Sequence, residues 1–290
     1  MLRIASLLSR RFNRLAFHRE MGDDPFMSVS ASTRVYRIRL PVRLWHWTNA
    51  LAVVILLMSG MMIFNAHPRL YWGAYGADFD HAWLVIGNRG AHGYLAVGGI
   101  EVPTTGVLGF AMNTAQAFPP LVTIPSRYSL AIARLWHFAF AWIMVIGWIS
   151  FAIYSFISRH LWRDLALNRK EMRLSALWRD IADHARLRFH PALHYNPLQK
   201  LAYLGVLGLA LPLMILTGLA MSPAMDAAWP WLLVLFDGRQ SARSVHFLVA
   251  AGLALFIVVH LAMVLLAGPV NELRAIVTGW YRLPGDRTRP

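Results

Sequence analysis

Residues 242–267 read ARSVHFLVAAGLALFIVVHLAMVLLA. A stretch of that length with one charge is long enough to cross a bilayer, which takes about 20 apolar residues. It also holds two histidines, His246 and His260. Ionisable side chains inside a span are costly and point to function. Their spacing of 14 residues corresponds to about 21 Å along a helix and only about 40° of rotation. The segment therefore presents two imidazoles on one face at two depths.

Three further segments have the same character, at about 42–64, 130–156 and 198–221. The composition agrees: 57% of the 290 residues are hydrophobic and 14% charged, which few water-soluble domains match. The formal net charge of +14 would suggest nucleic acid in a soluble protein. Here the arginines cluster between spans, so they are read as a topology signal and nucleic acid is excluded as a partner. Residues 1–43 hold nine arginines and three acids, and residues 159–200 hold nine basic residues and four acids. Residues 67–129 hold three of each sign, and the last 23 residues hold four arginines and two acids. This pattern predicts a multi-pass membrane protein. Both termini and the link between the second and third spans face the cytoplasm, and the other two links lie outside. Residues 1–35 and 284–290 are read as cytoplasmic tails around a membrane domain at 36–283. The first twenty residues lack an apolar core and a cleavage site, so no signal peptide is read, and Met21 or Met27 are alternative starts. Leu174, Leu177, Trp178 and Ile181 recur at helical spacing, as in an amphipathic helix lying at the membrane surface or an ordinary soluble one.

The sequence contains no cysteine, which excludes disulfides, Cys-ligated iron–sulfur clusters and covalent haem attachment. Neutral imidazole remains as a metal ligand. Of twelve histidines, four fall within spans: His46, His137, His246 and His260. Helix direction sorts them by depth, placing His46 and His260 near the cytoplasm and His137 and His246 near the outside. Two facing bis-histidine sites follow, which is how helix bundles hold cofactors. They predict two b-type haems, the inner one on His46 and His260 and the outer one on His137 and His246. Arg43, Arg134 and Arg243 each precede a ligand by three residues and suit haem propionates, with snorkelling to the interface as the alternative. Gly60 lies 14 residues after His46, where a missing side chain would admit the outer porphyrin or serve helix packing. The remaining histidines fit neither pair. His160, for example, lies 23 residues after His137, about 140° away in direction.

At this point the residues resemble a family. RLWHWTNALAVVILLMSG at 43–60, the histidine of the second span and the pair spaced by 14 in the fourth are similar to the bacterial cytochrome b561 family. That superfamily includes the cytochrome b subunits of nickel–iron hydrogenases and the gamma subunits of formate dehydrogenases. The resemblance implies an all-α membrane four-helix bundle with two b haems exchanging electrons with a quinone pool. It departs at the outer link of about 60 residues, which is long and therefore reads as a docking surface. That surface is expected to serve a periplasmic redox enzyme, by analogy a molybdopterin oxidoreductase, with this chain carrying electrons and the partner doing the catalysis. The alternatives are the cytochrome b subunit of a nickel–iron hydrogenase and, in another class, a proton-coupled transporter using histidines as relays. The quinone is expected near the inner haem, beside Arg43, His194, Tyr195, Asn196 and Lys200. These are hydrogen-bonding groups at the cytoplasmic starts of the first and third spans, where interfacial anchoring and an Asn-Pro helix start are the alternative roles.

Overall fold

The computed structural model describes residues 34–77, 79–168, 171–186 and 196–283. Residues 36–281 form one compact unit. Residues 34, 35, 282 and 283 belong to a second unit.

Among the described residues, four helices are long and apolar enough to cross a membrane: α1 (Leu40–Phe64), α2 (Leu130–Ile157), α4 (Pro197–Ala220) and α5 (Arg239–Ala267). A shorter amphipathic helix, α3 (Leu174–Ala185), precedes α4, and α6 (Pro269–Thr278) follows α5. Local chemistry sets the ends. Pro41 opens α1, where its missing N–H is not needed. Asn196 and Gln199 form a reciprocal capping box at the start of α4, with the Asn196 side chain accepting from Gln199 N at 2.8 Å. Gly238 and Gly268, at φ 105° and 107°, bound α5.

Helix α4 is interrupted by a π turn at Val206–Ala210, just ahead of Pro212. Leu211 N donates five residues back to Val206 O, and Pro212 has no N–H to give. The Leu207 carbonyl is thereby freed, and Trp148 on α2 donates its indole N–H to it at 2.9 Å. A break in one span thus becomes a polar tie to another. Around it, Ala52 and Val53 of α1, Met144 of α2, Leu211 of α4 and Leu253 of α5 form a buried cluster drawn from all four spans. Large apolar side chains such as Leu135, Phe156 and Leu255 point outward, as lipid contact allows.

The link between α1 and α2 adds a small sheet to the helical bundle. Within it run four strands, β1 (Arg69–Leu70), β2 (Leu84–Arg89), β3 (His92–Val97) and β4 (Ile100–Pro103), in an antiparallel meander. Gly98 and Gly99, both at positive φ, make the two-residue turn between β3 and β4 that the strand twist favours. The sheet has its own core of Leu70, Leu84, Ile86 and Ala117 packed with Phe64 of α1. It is tied to the start of α5: Trp83 Nε1 donates to Ser244 Oγ at 2.9 Å, and Ser244 donates on to Tyr71 O at 2.6 Å. Gly73 N donates to Ser241 Oγ at 2.6 Å. This link is therefore a folded cap over one end of the bundle.

Candidate functional site

The four span histidines meet in two pairs. The rings of His137 and His246 lie 6.3 Å apart between α2 and α5, tilted by 57°. Those of His46 and His260 lie 6.4 Å apart between α1 and α5, tilted by 54°. Leu253 of the central cluster sits seven residues from each histidine of α5, so the two pairs occupy opposite ends of the bundle.

The spacing can be tested against a six-coordinate iron. A metal–nitrogen bond of about 2 Å on each side, plus about 1.1 Å from nitrogen to ring centre, would put two imidazoles holding one iron between them about 6.2 Å apart. Both pairs fit. A bare metal ion fits less well: no group of three or more His, Asp or Glu side chains able to hold one occurs among the described residues. Two nitrogens suffice where a macrocycle supplies the other ligands.

The hydrogen bonds around the cap-side pair also suit a metal ligand. Ser59 of α1 is fully buried and donates its hydroxyl proton to Ile55 O at 2.7 Å. Its oxygen, 3.0 Å from His137 Nδ1, must then accept from an Nδ1–H. Thr217 of α4 does the same, donating to Leu213 O at 2.7 Å and accepting from His246 Nδ1 at 2.9 Å. With Nδ1 protonated, each neutral ring presents Nε2 as its lone-pair donor.

Each hydroxyl is followed by a glycine, and both glycines lie against the rings. A Cβ on Gly60 would meet His137 Cε1 at 3.4 Å, and one on Gly218 would meet His246 Cε1 at 3.7 Å. The space left at Gly60 thus accommodates an imidazole, where the sequence offered porphyrin access or helix packing. Ser59, Thr217 and Gly218 were missed in the sequence. Their signal is the repeated hydroxyl–glycine dipeptide inside two otherwise apolar spans, Met58-Ser-Gly-Met61 and Leu216-Thr-Gly-Leu219.

The arginines are engaged at both ends. Arg43 donates to the carbonyl of Val277 in α6, and its Nε is buried without a partner. Arg243 donates to the carbonyl of His67 and lies over the Phe64 ring. Arg134 is exposed, over the ring of Phe138.

Of the residues assigned to a quinone, His194 and Tyr195 lie outside the described residues. Asn196 is occupied as the cap of α4. Lys200 is buried, with Nζ 2.9 and 3.1 Å from the two carboxylate oxygens of Glu171. Burial alone would push the Glu171 carboxyl up, but the Asn168 N–H and the Lys200 ammonium hold it below its ordinary value. These two side chains secure the α4 start, and neither is held toward His46 or His260 by any of these bonds.

Facing histidine pairs inside a bundle of membrane-length helices define a class, the haem-carrying membrane cytochrome. The chain belongs to the prokaryotic cytochrome b561 family, which it matches over residues 37–279. It is a membrane b-type cytochrome subunit of electron transport, and its cofactor is haem b. Among its relatives is a protein from Azospira oryzae named, provisionally, as the YedZ1 subunit of a protein-methionine-sulfoxide reductase. It is 27% identical over 81% of this chain and 93% of its own length. A protein from Azotobacter vinelandii named as a probable Ni/Fe-hydrogenase B-type cytochrome subunit is 25% identical over 92% of this chain and 96% of its own. One from Cupriavidus necator with the same name is 25% identical over 78% of this chain and 76% of its own.

Proposed function

We propose that this chain binds two b haems, one on His137 and His246 and one on His46 and His260, and passes electrons between a quinone pool and a redox enzyme docked on its cap. The observation that carries the proposal is the geometry of the two pairs, with ring centres 6.3 and 6.4 Å apart on a shared helix. Each haem supplies a one-electron iron couple; the rest belongs to the protein. The histidines orient the two sites, and Ser59 and Thr217 fix the tautomer of the outer pair. Arg43 and Arg243, and more exposed Arg134, offer remaining guanidinium N–H groups to propionates.

The basic segments on the side of His46 and His260 orient that end, and both chain termini, to the cytoplasm of a bacterial inner membrane. The cap then faces the periplasm and is the surface offered to a partner, with Trp72, Tyr75 and Phe79 exposed on it. A molybdopterin oxidoreductase is the partner we propose. The names of several relatives favour a second reading, a nickel–iron hydrogenase. Copurification from the native membrane, with molybdenum and nickel measured in the complex, distinguishes them. The haem reading is tested on the chain alone in detergent. Two haems per chain, extractable by acid–acetone and low-spin in both oxidation states, are expected. A ratio of one, or a spectrum without haem, overturns it.

A further inference from the structure

The amphipathic helix α3 is docked on its polar side and bare on its apolar one. Leu174, Trp178 and Ile181 follow the i, i+4, i+7 spacing of one helix face and are 81%, 69% and 43% exposed. Asp180 and Asp183 lie about 120° and 180° round the helix from Leu174, and both are part-buried. Asp180 Oδ2 accepts from Leu198 N, in the first turn of α4, at 2.9 Å. That bond holds the acidic side of α3 against a membrane-length helix and leaves the apolar stripe on the outside. A water-soluble domain buries such a stripe, because leaving it in water forfeits the hydrophobic gain. The flanks of the stripe are basic. Arg173, Arg179 and Arg186 are exposed, and none of them forms an ion pair among the described residues. Arg179 Nε donates to Ser175 O of its own helix at 3.2 Å, which leaves its terminal N–H groups for another acceptor.

We propose that α3 is an interfacial anchor for anionic phospholipid. Leu174, Trp178 and Ile181 enter the acyl-chain boundary of the leaflet at the His46 end of the bundle, and Arg173, Arg179 and Arg186 meet the lipid phosphates. Three observations select lipid over a protein partner. First, α3 is bonded to the start of a span, which is where the bilayer surface runs. Second, apolar surface continues at the same end of the bundle, with Phe156 and Ile157 exposed at the end of α2 and Trp162 exposed just after it. Third, the charges are segregated, with the acids toward the protein and the arginines outward, as a negatively charged surface requires. A basic residue close to such a surface favours it about fivefold. Trp178 suits the same boundary, since indole has an apolar body and an N–H for the head-group layer. The link from α2 to α4 is then held from two sides, by the Lys200–Glu171 ion pair within the protein and by lipid along α3.

The test exploits the absence of cysteine, since a single introduced thiol is labelled uniquely. Leu174→Cys, Trp178→Cys and Ser175→Cys fall at exposed positions and are expected to fold. Each full-length variant carries a thiol-linked fluorophore and is placed in lipid nanodiscs at one chain per disc. Quenching is read with brominated phosphatidylglycerol, brominated phosphatidylcholine and water-borne acrylamide. Labels at 174 and 178 are expected to be quenched by brominated lipid and shielded from acrylamide, and the label at 175 to be the more open to acrylamide. Phosphatidylglycerol should quench at 178 at a lower mole fraction than phosphatidylcholine. Adding Arg173→Gln and Arg179→Gln should cut that preference at least about fivefold. Acrylamide quenching at 174 and 178 as free as at 175 places the stripe in water and overturns the proposal. Shielding from acrylamide without quenching by brominated lipid places protein over the stripe and overturns it as well. Equal quenching by the two lipids, or a preference that survives loss of both arginines, overturns the assignment of anionic head groups.

Discussion

The two histidine pairs are nearly equal in spacing and unlike in their surroundings. At the cap end each ring nitrogen Nδ1 is held by a fully buried hydroxyl, Ser59 for His137 and Thr217 for His246. A glycine beside each hydroxyl lets the ring approach, and a folded sheet closes over the end. At the other end His46 Nδ1 is buried without a partner, and His260 stacks on Phe256 with ring centres 5.8 Å apart. Four helices supply the cap-side site with its ligands and hydroxyls. The opposite site has its ligands from two helices and an open slot between α1 and α2 at its flank. A hydroxyl that accepts from Nδ1–H makes the imidazole a stronger donor to iron and favours the ferric state. For the two haems proposed above, the difference predicts a rigid, lower-potential one at the cap end and a more adaptable one at the opposite end, called outer and inner below.

The largest effect that would break this comparison is loss of a ligand. His246→Ala and His137→Ala are expected to remove the same haem, lowering the ratio from two to one. His260→Ala and His46→Ala should remove the other. Redox titration of the four variants checks the assignment, and a shared loss between His46 and His137 variants would contradict the pairing. Next in size is the hydroxyl itself. Thr217→Val keeps the shape but removes the acceptor, and Ser59→Ala does so for the partner ring. Loss of one such hydrogen bond, worth about 0.5–1.5 kcal/mol, should raise the outer potential by about 20–60 mV and weaken that haem's retention by about 10-fold or more. The inner component should not move, and Thr217→Ser should restore the parent value. An equal shift of both components would mean that the hydroxyls act on the bundle as a whole.

A third prediction asks whether the two ends are mechanically joined. Trp148→Phe removes the donor that meets the Leu207 carbonyl at the π turn. A carbonyl left buried and unmet costs about 1–3 kcal/mol, so thermal stability in detergent should fall while both haems are still bound at low temperature. Unchanged stability would show that another group, or water, meets Leu207.

The spans and the histidine spacing were legible in the sequence because apolar length and a 14-residue separation translate directly into depth and direction. The cap was not. Its strands are short, β1 only Arg69–Leu70, and the flanking glycines read as loop composition. The sharper signal was Val97-Gly-Gly-Ile100, a two-residue hairpin turn between alternating segments. The hydroxyls were hidden for a different reason. A serine or threonine in a span satisfies itself on its own helix, as Ser59 does on Ile55, and nothing in one sequence says which ring lies across from it. Lys200 illustrates the converse. A lysine at a helix start invites a binding role, but its partner Glu171 is 29 residues away and only the fold brings them together.

That ion pair supplies the smallest expected effect and bears on why the inner end is adaptable. Lys200 and Glu171 tie the π turn after α2 (Leu161–Leu165) to the start of α4, since Nζ also lies 3.4 Å from Ala166 O. Glu171 has its carboxyl held below the ordinary range, so its contribution to stability is fully present above the unfolded value and is lost as pH falls through the folded one. With the Glu171 side chain 21% exposed and that of Lys200 11%, the pair lies between the surface and buried limits. Glu171→Gln should cost about 1–2 kcal/mol and should flatten the loss of stability as the pH falls below the ordinary carboxylate range. Thermal melts across that range, read by haem release from each site separately, check it. If the comparison between the two ends holds, the inner component is released first in the variant, because the α4 start it loosens lies at that end. Release of the outer component first would place the mechanical weak point under the cap and reverse the contrast between the two sites.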